Sequence, residues 1–497
     1  MKTALSRRFF LAGLAAAGAT GALAEAPKTS LRPVARGEEL AARAIESVDQ
    51  MIADSRLVGD VAFAVADARS GKLLEAHNAA TGLPPASVAK ALTSAYALDV
   101  LGPGYRFMTQ VVADGPIEDG VLKGDLILVG GGDPTLGTNE LADLAAAMKA
   151  EGLLEVEGAF RVWDGALPYQ DRIDPGQPDH VGYDPAVCGL NLNFNRVHFE
   201  WKRGGGGYDV TMEARSDRFR PAVEVAAMSV EARTGPVYTY ERREGRDLWT
   251  VAQGALGDGG ARWLPVRNPA IYAGEVFQTF ARSHGIVLKK PTRADAGPRG
   301  LVLARHESEP LREILRDMLK WSTNITAEVV GMTASLARGA KVETLADSAA
   351  AMNQWAVEEL GLAGPALADH SGLGDDSRIS PADMMGALVA LRQREAGLKA
   401  LLKDVPVRDQ QYRVVEDHPL SVHAKTGTLN FVSGLAGYID APDGTELAFA
   451  YFSADLETRA GLSKAERERP PGWAVWNRRS KLLQQRLIER WGIMSSA

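Results

Sequence analysis

The sequence predicts a mixed α/β fold in which both ends of the chain form one domain around a large, mostly β insertion. Helical periodicity and strand hairpins occupy residues 25–108 and 302–497. Short alternating strands and Gly-rich turns fill residues 109–301 instead. The chain has 497 residues, 45% of them hydrophobic, which is enough to build two or three domains with large cores.

The N-terminal part of this domain combines a strand hairpin with a helix. The runs Val61 to Asp67 and Leu73 to His77 flank a Gly-containing turn and predict two paired strands. A helix is expected from Ser87 to about Leu101, because Gly102-Pro103 then provides a stop signal. Ser87 is therefore placed at a helix N-terminus.

The inserted region contains a smaller β module at about residues 190–262. Its Gly204 to Gly207 run lies between the alternating segments Leu190 to Trp201 and Tyr208 to Ala214. A phosphate-binding loop would need a following Lys-Ser or Lys-Thr and a helix opening there, and the sequence has neither. We expect a hairpin tip.

The C-terminal part begins with helices and returns to strands. Apolar residues at helical spacing end just before Ser322, and the last helix carries an apolar face that we expect to pack on the sheet rather than contact a membrane. The predicted segments are helices at Ala327 to Arg338, Glu343 to Leu360 and Pro381 to Arg394, and strands around Lys425, at Phe431 to Ile439 and at Leu447 to Phe452.

Three short motifs occur in one order along the chain. They are Ser87-Val88-Ala89-Lys90, Ser322-Thr323-Asn324 and Lys425-Thr426-Gly427-Thr428. Each alone is weak, since Ser-x-x-Lys is also an ordinary helix start and Ser, Thr and Asn are common helix caps. Together, in helix, loop and strand contexts, they indicate acyl transfer through a serine ester and cleavage of a peptide that ends in D-alanine.

A serine hydroxyl needs a base close enough to remove its proton. Lys90 follows Ser87 by three residues on a helix, so both side chains share one face. A free lysine keeps its proton to a pH of about 10.4, and a second cation roughly 4 Å away would lower that pKa by about 3 units. Lys425 is the cation that we expect to act on Lys90.

The other two motifs supply binding groups. Ser322 can relay a proton and the amide of Asn324 can hold a substrate carbonyl. The cation and hydroxyls of the Lys425 strand can bind a terminal carboxylate, with Gly427 leaving room for substrate backbone. The backbone N–H groups of Ser87 and Thr428 would form an oxyanion hole.

The first 24 residues are predicted to be an export signal of the twin-arginine type. Arg7-Arg8 precedes an Ala- and Gly-rich run that ends at Ala22-Leu23-Ala24. They hold three bases and no acid, so removing them takes the net charge from -7 to -10. An acidic chain argues against nucleic acid and anionic membranes as partners, and we expect a periplasmic protein with no transmembrane anchor.

The chain resembles the low-molecular-mass class C penicillin-binding proteins, the D-Ala-D-Ala carboxypeptidase and endopeptidase type of peptidase family S13. Besides the motifs, the likeness includes Gly132-Asp133-Pro134-Thr135-Leu136, Asp369-His370-Ser371-Gly372-Leu373 and the gap of 235 residues between Ser87 and Ser322. The resemblance implies a transpeptidase-like domain, also called β-lactamase-like, with two smaller inserted domains. It further implies peptidoglycan stems ending in D-Ala-D-Ala as substrates and β-lactams as acylating inhibitors.

Carried onto this sequence, the resemblance implies that Ser87 is the acylated nucleophile and Lys90 its base. Ser322 and Asn324 would be proton relay and substrate amide site, and Lys425 would bind carboxylate. Arg378 is a further candidate for holding substrate. His370, where the family often has Gly, is expected on a surface loop.

Two other functions remain open. A β-lactamase would use the same serine, but no E-x-x-L-N run lies between Asn324 and Lys425. A catalytically idle wall-binding scaffold would leave three intact motifs without a role. No cofactor or metal is expected, because the eight histidines lack ligand spacing, and the lone Cys188 is expected to be a small core residue.

Overall fold

A computed structural model describes residues 46–495, and a six-stranded sheet joins the two ends of this range. Val61 to Ala66 alternate between the two faces of the sheet, as a period of two residues requires, and all are buried because helices cover both faces. The strands, in spatial order, are β17 (Lys403–Asp404), β18 (Ser421–Leu429), β19 (Val432–Asp440), β20 (Glu446–Ala454), β1 (Asp60–Asp67) and β2 (Leu73–His77).

Helices form a layer on each face of this sheet. Phe63 and Val65 join one core with the C-terminal helix, while Ala62 and Ala66 join a second core with the central helices. The helices of this part are α1 (Val48–Ser55), α2 (Ala89–Leu101), α5 (Leu311–Trp321), α6 (Asn324–Ala337), α7 (Leu345–Leu360), α8 (Pro381–Gln393), α9 (Leu456–Ala460) and α10 (Trp473–Ser495).

A second sheet of five strands lies between β2 and α5 in the sequence. Helices α3 (Thr138–Ala150) and α4 (Pro269–Ser283) share its hydrophobic core. Its strands, in spatial order, are β15 (Thr292–Arg293), β8 (Phe160–Trp163), β6 (Asp125–Gly130), β3 (Met108–Asp114) and β16 (Leu301–Glu307).

Three small sheets complete the inserted region. One consists of β4 (Ile117–Glu118), β5 (Val121–Leu122) and β7 (Glu155–Val156). The second has the order β10 (Gly207–Glu213), β9 (Arg196–Gly204) and β14 (Gly259–Pro265). The third has the order β11 (Ala226–Glu231), β13 (Arg246–Ala252) and β12 (Tyr238–Arg243).

The pairing of β16 bears on the division into domains. Residues Leu301 to Glu307 pair with β3, inside the sheet of the inserted region. We therefore propose that the insertion runs to residue 307 rather than 301. The boundary proposed at 108/109 falls at the start of β3, and the nested module corresponds to the two three-stranded sheets between residues 196 and 265.

The predicted pair of strands at 61–67 and 73–77 and the strands expected at 431–439 and 447–452 are confirmed, as are the helices that follow Ser322. Gly204 and Gly207 do lie at a hairpin tip. The last helix packs on the sheet, and among residues 46–495 no helix is long and apolar enough to cross a membrane. The predicted export signal lies outside the described residues.

Candidate active site

Ser87 lies in a single 3-10 turn, Ala86–Val88, that leads directly into α2. Ala86 adopts a positive φ of 47°, an uncommon conformation for a residue with a side chain, and so turns the chain sharply before the serine. Lys90 follows within the first turn of α2 and is fully buried, whereas Ser87 is partly exposed. The serine thus faces the solvent and the lysine lies beneath it.

The three N–H groups of the Lys90 ammonium have three partners. Its Nζ donates to Ser87 Oγ at 2.9 Å, to Asn324 Oδ1 at 2.7 Å and to the Ser371 carbonyl at 2.8 Å. An amide oxygen and a carbonyl can only accept hydrogen bonds, whereas a hydroxyl can also donate. A neutral Lys90 therefore has only Ser87 from which to take a proton.

Ser322 and Asn324 are held by the junction of two helices. Ser322 caps the C-terminus of α5 with a left-handed φ of 61°, and Asn324 is the first residue of α6. Lys425 Nζ donates to Ser322 Oγ at 2.9 Å and to the Thr426 carbonyl at 2.8 Å. The predicted motifs therefore converge on one site, with Ser87 and Ser322 each bonded to a buried lysine.

Gly427 has a packing role that differs from the one expected. A Cβ built there would lie 2.5 Å from the Pro85 carbonyl oxygen and 3.2 Å from the Ser87 nitrogen. The obstruction is the protein's own backbone, so the glycine lets β18 approach the turn that carries Ser87. Thr428, next along the strand, lines the same cavity as Ser87.

The pKa of Lys90 is lowered as the sequence predicts, but the cause is burial rather than the charge of Lys425. Burial lowers the pKa of Lys90 to about 8, and the negative charges of Glu328 and Asp369 oppose that shift. The repulsion between the two lysines acts on Lys425, whose pKa burial, Lys90 and Lys403 bring well below its usual value. Lys90 is thus moved toward neutrality mainly by desolvation.

The prediction that His370 lies on a surface loop is wrong. Its ring is fully buried, stacks on Tyr96 and exchanges a hydrogen bond of 2.7 Å with Ser348 Oγ. A Cβ at Gly331 of α6 would lie 2.2 Å from the ring, so the glycine makes the space for it. Burial lowers the pKa of His370 to about 3, which leaves the imidazole neutral.

A cavity of about 300 Å³ opens over Ser87, Ser322 and Asn324. Part of its lining comes from the inserted region, where the Tyr183 carbonyl accepts a hydrogen bond of 2.9 Å from Asn324 Nδ2. The remaining lining residues are Gln177, Gly372, Leu373, Thr428, Leu429, Asn430, Arg459, Arg467, Glu468 and Trp473.

Arg378 does not line this cavity. It pairs with Ala366 in an isolated bridge, and its guanidinium donates to the carbonyls of Asp375 and Ser377 in its own loop. The arginines that line the cavity are Arg459 and Arg467 instead, both paired with Asp375. The substrate role proposed for Arg378 therefore has no geometric support.

The D-Ala-D-Ala carboxypeptidase 3 (S13) family matches the chain over residues 44–469. The chain belongs to this family. It is a serine DD-peptidase of peptidoglycan, and the resemblance inferred from the three motifs is confirmed.

Relatives in this family align with most of the chain. The D-alanyl-D-alanine carboxypeptidase of Actinomadura sp. (strain R39) is 28% identical over 82% of this chain and 80% of its own length. The D-alanyl-D-alanine carboxypeptidase DacB of Haemophilus influenzae is 25% identical over 82% of this chain and 90% of its own.

The fold is confirmed by a solved structure. Penicillin binding protein 4 of Haemophilus influenzae superposes with a TM-score of 0.71 at 22% identity, covering 85% of this chain and 98% of that one. The predicted mixed α/β fold with extra domains is therefore correct.

Sequence reasoning missed two parts of this family member's site. The first part is the pair of buried carboxylates of Glu328 and Asp369. Glu328 could have been noticed in the sequence, because it is an acid among the apolar residues of α6. The second is the inserted loop 171–184, for which we find no local sequence signal.

The inserted loop is joined to the segment that follows β20 by ion pairs. Lys464 pairs with Asp179 at 2.8 Å, and Glu468 hydrogen-bonds His180 Nε2 at 2.8 Å and pairs with Arg262 of β14 at 2.9 Å. These contacts connect the inserted region to the segment between α9 and α10, and Glu468 is also part of the cavity lining.

One group of side chains has the composition of a metal site. His198, Glu200 and Glu213 lie close together on β9 and β10. Arg215 already bonds both carboxylates, at 2.6 Å to Glu200 and 2.5 Å to Glu213. A guanidinium thus supplies the positive charge that these acids require.

Proposed function

We propose that the chain cleaves D-alanyl peptides through an ester on Ser87. The observation that carries this proposal is the Lys90 amine, which bonds Ser87 Oγ while its other two partners can only accept. In its neutral form Lys90 directs its lone pair at the Ser87 hydroxyl and removes the proton as Oγ attacks the carbonyl carbon.

Charge that develops on the carbonyl oxygen would be stabilised by the N–H groups of Ser87 and Thr428. Ser322, held by Lys425, would pass a proton to the leaving D-alanine amine. Asn324 Nδ2 would bind a substrate carbonyl in place of Tyr183, and the Lys425 cation with Thr426 and Thr428 would bind the terminal carboxylate. Water then hydrolyses the ester and frees Ser87.

Removal of terminal D-alanine is the activity that the relatives' names support, since both are D-alanyl-D-alanine carboxypeptidases. We extend the proposal to cleavage of D-alanyl crosslinks to diaminopimelate, as the resemblance implies. We also propose acylation by β-lactams, because a Haemophilus influenzae penicillin binding protein 4 was solved in complex with one. The site of action would be the periplasm, reached through the twin-arginine signal.

Intact mass after brief exposure to benzylpenicillin tests the proposal. Wild-type protein should gain one persistent adduct, Ser87→Ala should gain none, and Ser229→Ala, at an exposed serine of β11, should behave as wild type. D-alanine release from a pentapeptide stem and cleavage of a crosslinked dimer then separate the two activities. Lack of an adduct on the wild type would favour a wall-binding scaffold, and its rapid loss would favour a β-lactamase.

A further inference from the structure

Glu328 is a buried acid that none of these steps uses. It lies on α6 one turn after Asn324, so both side chains point from the same face of the helix. Its carboxylate is fully buried and accepts the backbone N–H of His370 at 3.0 Å and of Ser371 at 2.8 Å. Each oxygen therefore accepts a hydrogen bond that favours the ionised form, against the burial that raises the pKa of Glu328 to about 8.

The contact with Ser371 leads directly to the Lys90 amine. The Ser371 N–H donates to Glu328, and the carbonyl of the same residue accepts from Lys90 Nζ at 2.8 Å. Glu328 thus fixes the peptide segment that provides one of the acceptor-only partners of Lys90. If that carbonyl moved away, the lysine lone pair would no longer be directed at Ser87 alone.

Glu328 also lies in a group of buried charges. Asp369 accepts the N–H groups of Gly372 at 2.5 Å and Gly374 at 2.6 Å, and burial raises the pKa of both Asp369 and Glu328. Glu328 and Asp369 both favour the charged form of Lys90. The titratable and charged groups that face this cluster are Lys90 and Tyr96 of α2, Asp369 and His370 of the following loop, Lys425 of β18 and Asp174 of the inserted loop.

We propose that Glu328 is a positioning residue that holds the Ser371 carbonyl on Lys90 and supplies the negative charge opposing the burial of its ammonium form. The inference rests on the proposed role of Lys90 as the base. It assigns two separable effects to one carboxylate. The charge sets the pH at which Lys90 becomes neutral, and the two accepted N–H bonds set the geometry of proton removal.

The test is the pH dependence of benzylpenicillin acylation, followed by intact mass. In the wild type the rate should rise with pH as Lys90 loses its proton, with a midpoint near pH 8, because burial lowers the pKa of Lys90 and raises that of Glu328 to about this value. Glu328→Gln removes the charge, so Lys90 should lose its proton more easily. We expect the midpoint to move down by about one pH unit and the plateau rate to fall.

Glu328→Asp separates the two effects, because it keeps the charge but withdraws it by one methylene. Its midpoint should stay within a few tenths of the wild type, while its plateau falls as the bonds to residues 370 and 371 lengthen. Thr333→Ala is the control, since Thr333 lies on the same helix and its hydroxyl donates to the Val329 carbonyl of that helix. Both its midpoint and its plateau should be unchanged.

An unchanged midpoint in Glu328→Gln would overturn the inference while leaving the acyl-enzyme proposal intact. If the wild type forms no Ser87-dependent adduct, the proposed function itself fails, whatever Glu328 does. Should Glu328→Gln not fold, Glu328→Asp carries the test through its plateau rate, which should fall because the bonds to residues 370 and 371 lengthen. An unchanged plateau in Glu328→Asp would likewise contradict the inference.

Discussion

At the scale of single residues, the site depends on what each partner of Lys90 is able to do. Asn324 Oδ1 and the Ser371 carbonyl accept only, so the hydrogen-bond pattern fixes the direction in which a proton can move. Desolvation then brings the pKa of the lysine to about 8. Burial of Lys90 therefore both lowers its pKa and fixes its hydrogen-bond partners. A lysine exposed to solvent would have neither property.

At Gly427 a single added methyl group would disturb the position of Ser87. Gly427→Ala would place a methyl group 2.5 Å from the Pro85 carbonyl, so β18 and the Ser87 turn must move apart. We expect a loss of about 1–3 kcal/mol in the free energy of unfolding and a marked fall in the acylation rate. Urea unfolding and benzylpenicillin acylation measure the two effects.

Gly205→Ala provides the matched control for this prediction. Gly205 lies at the tip of the β9–β10 hairpin, where a Cβ would meet no atom within 4 Å and the φ angle is not positive. Stability and acylation should both stay at the wild-type level. If Gly427→Ala also left them unchanged, the close approach of β18 to Pro85 would not be needed for activity.

At the scale of elements, the sequence predicted the parts that local patterns determine. Hairpins with a Gly turn and helices with an apolar stripe were placed within a few residues, and the three motifs were assigned to one site. His370 was misplaced because its burial depends on Gly331 of α6, some forty residues earlier. The Tyr183 contact joins residues 141 positions apart, and no local pattern reports such a distance.

The inserted loop 171–184 is the element whose mobility should be easiest to change. Glu468→Gln removes the ion pair with Arg262 and weakens the hydrogen bond with His180. Glu468 and Arg262 are each about one-third exposed, so the loss of stability should be below about 1 kcal/mol. Amide hydrogen exchange within residues 171–184 should nevertheless become faster, because the bond between His180 and Glu468 helps to hold this loop.

The control for this loop is Glu313→Gln, which removes an ion pair of similar exposure with Arg316 on α5. Exchange in residues 171–184 should be the same as in the wild type. Equal protection of the loop in Glu468→Gln would show that the Asn324 contact and the buried charges behind the loop suffice to hold it.

At the scale of the whole molecule, burial of charge beneath the inserted loop makes stability depend on pH. Asp184 is fully buried and accepts the N–H groups of Ile173 at 2.8 Å and Asp174 at 2.9 Å. The nearest cations, Arg172 and Arg267, remain 3.6 Å and 4.0 Å from its second oxygen. Incomplete pairing lets burial raise the pKa of Asp184 to about 6.

The sign of the effect follows from which state holds the proton longer. Between about pH 4 and pH 6 the unfolded chain has released the Asp184 proton and the folded chain still binds it, so its contribution to stability is lost as the pH rises. A shift of about two units corresponds to roughly 3 kcal/mol.

Asp184→Asn removes this titration, so the stability of the wild type relative to the variant should fall by about that amount from pH 4 to pH 7 and stay constant above. Urea unfolding at several pH values measures the difference, and Asn353→Ala, which removes only contacts with the Leu367 backbone, should give a pH-independent one. A pH-independent difference for Asp184→Asn as well would mean that Arg172 and Arg267 keep the carboxylate ionised throughout, and that the inserted loop is held by a permanent ion cluster.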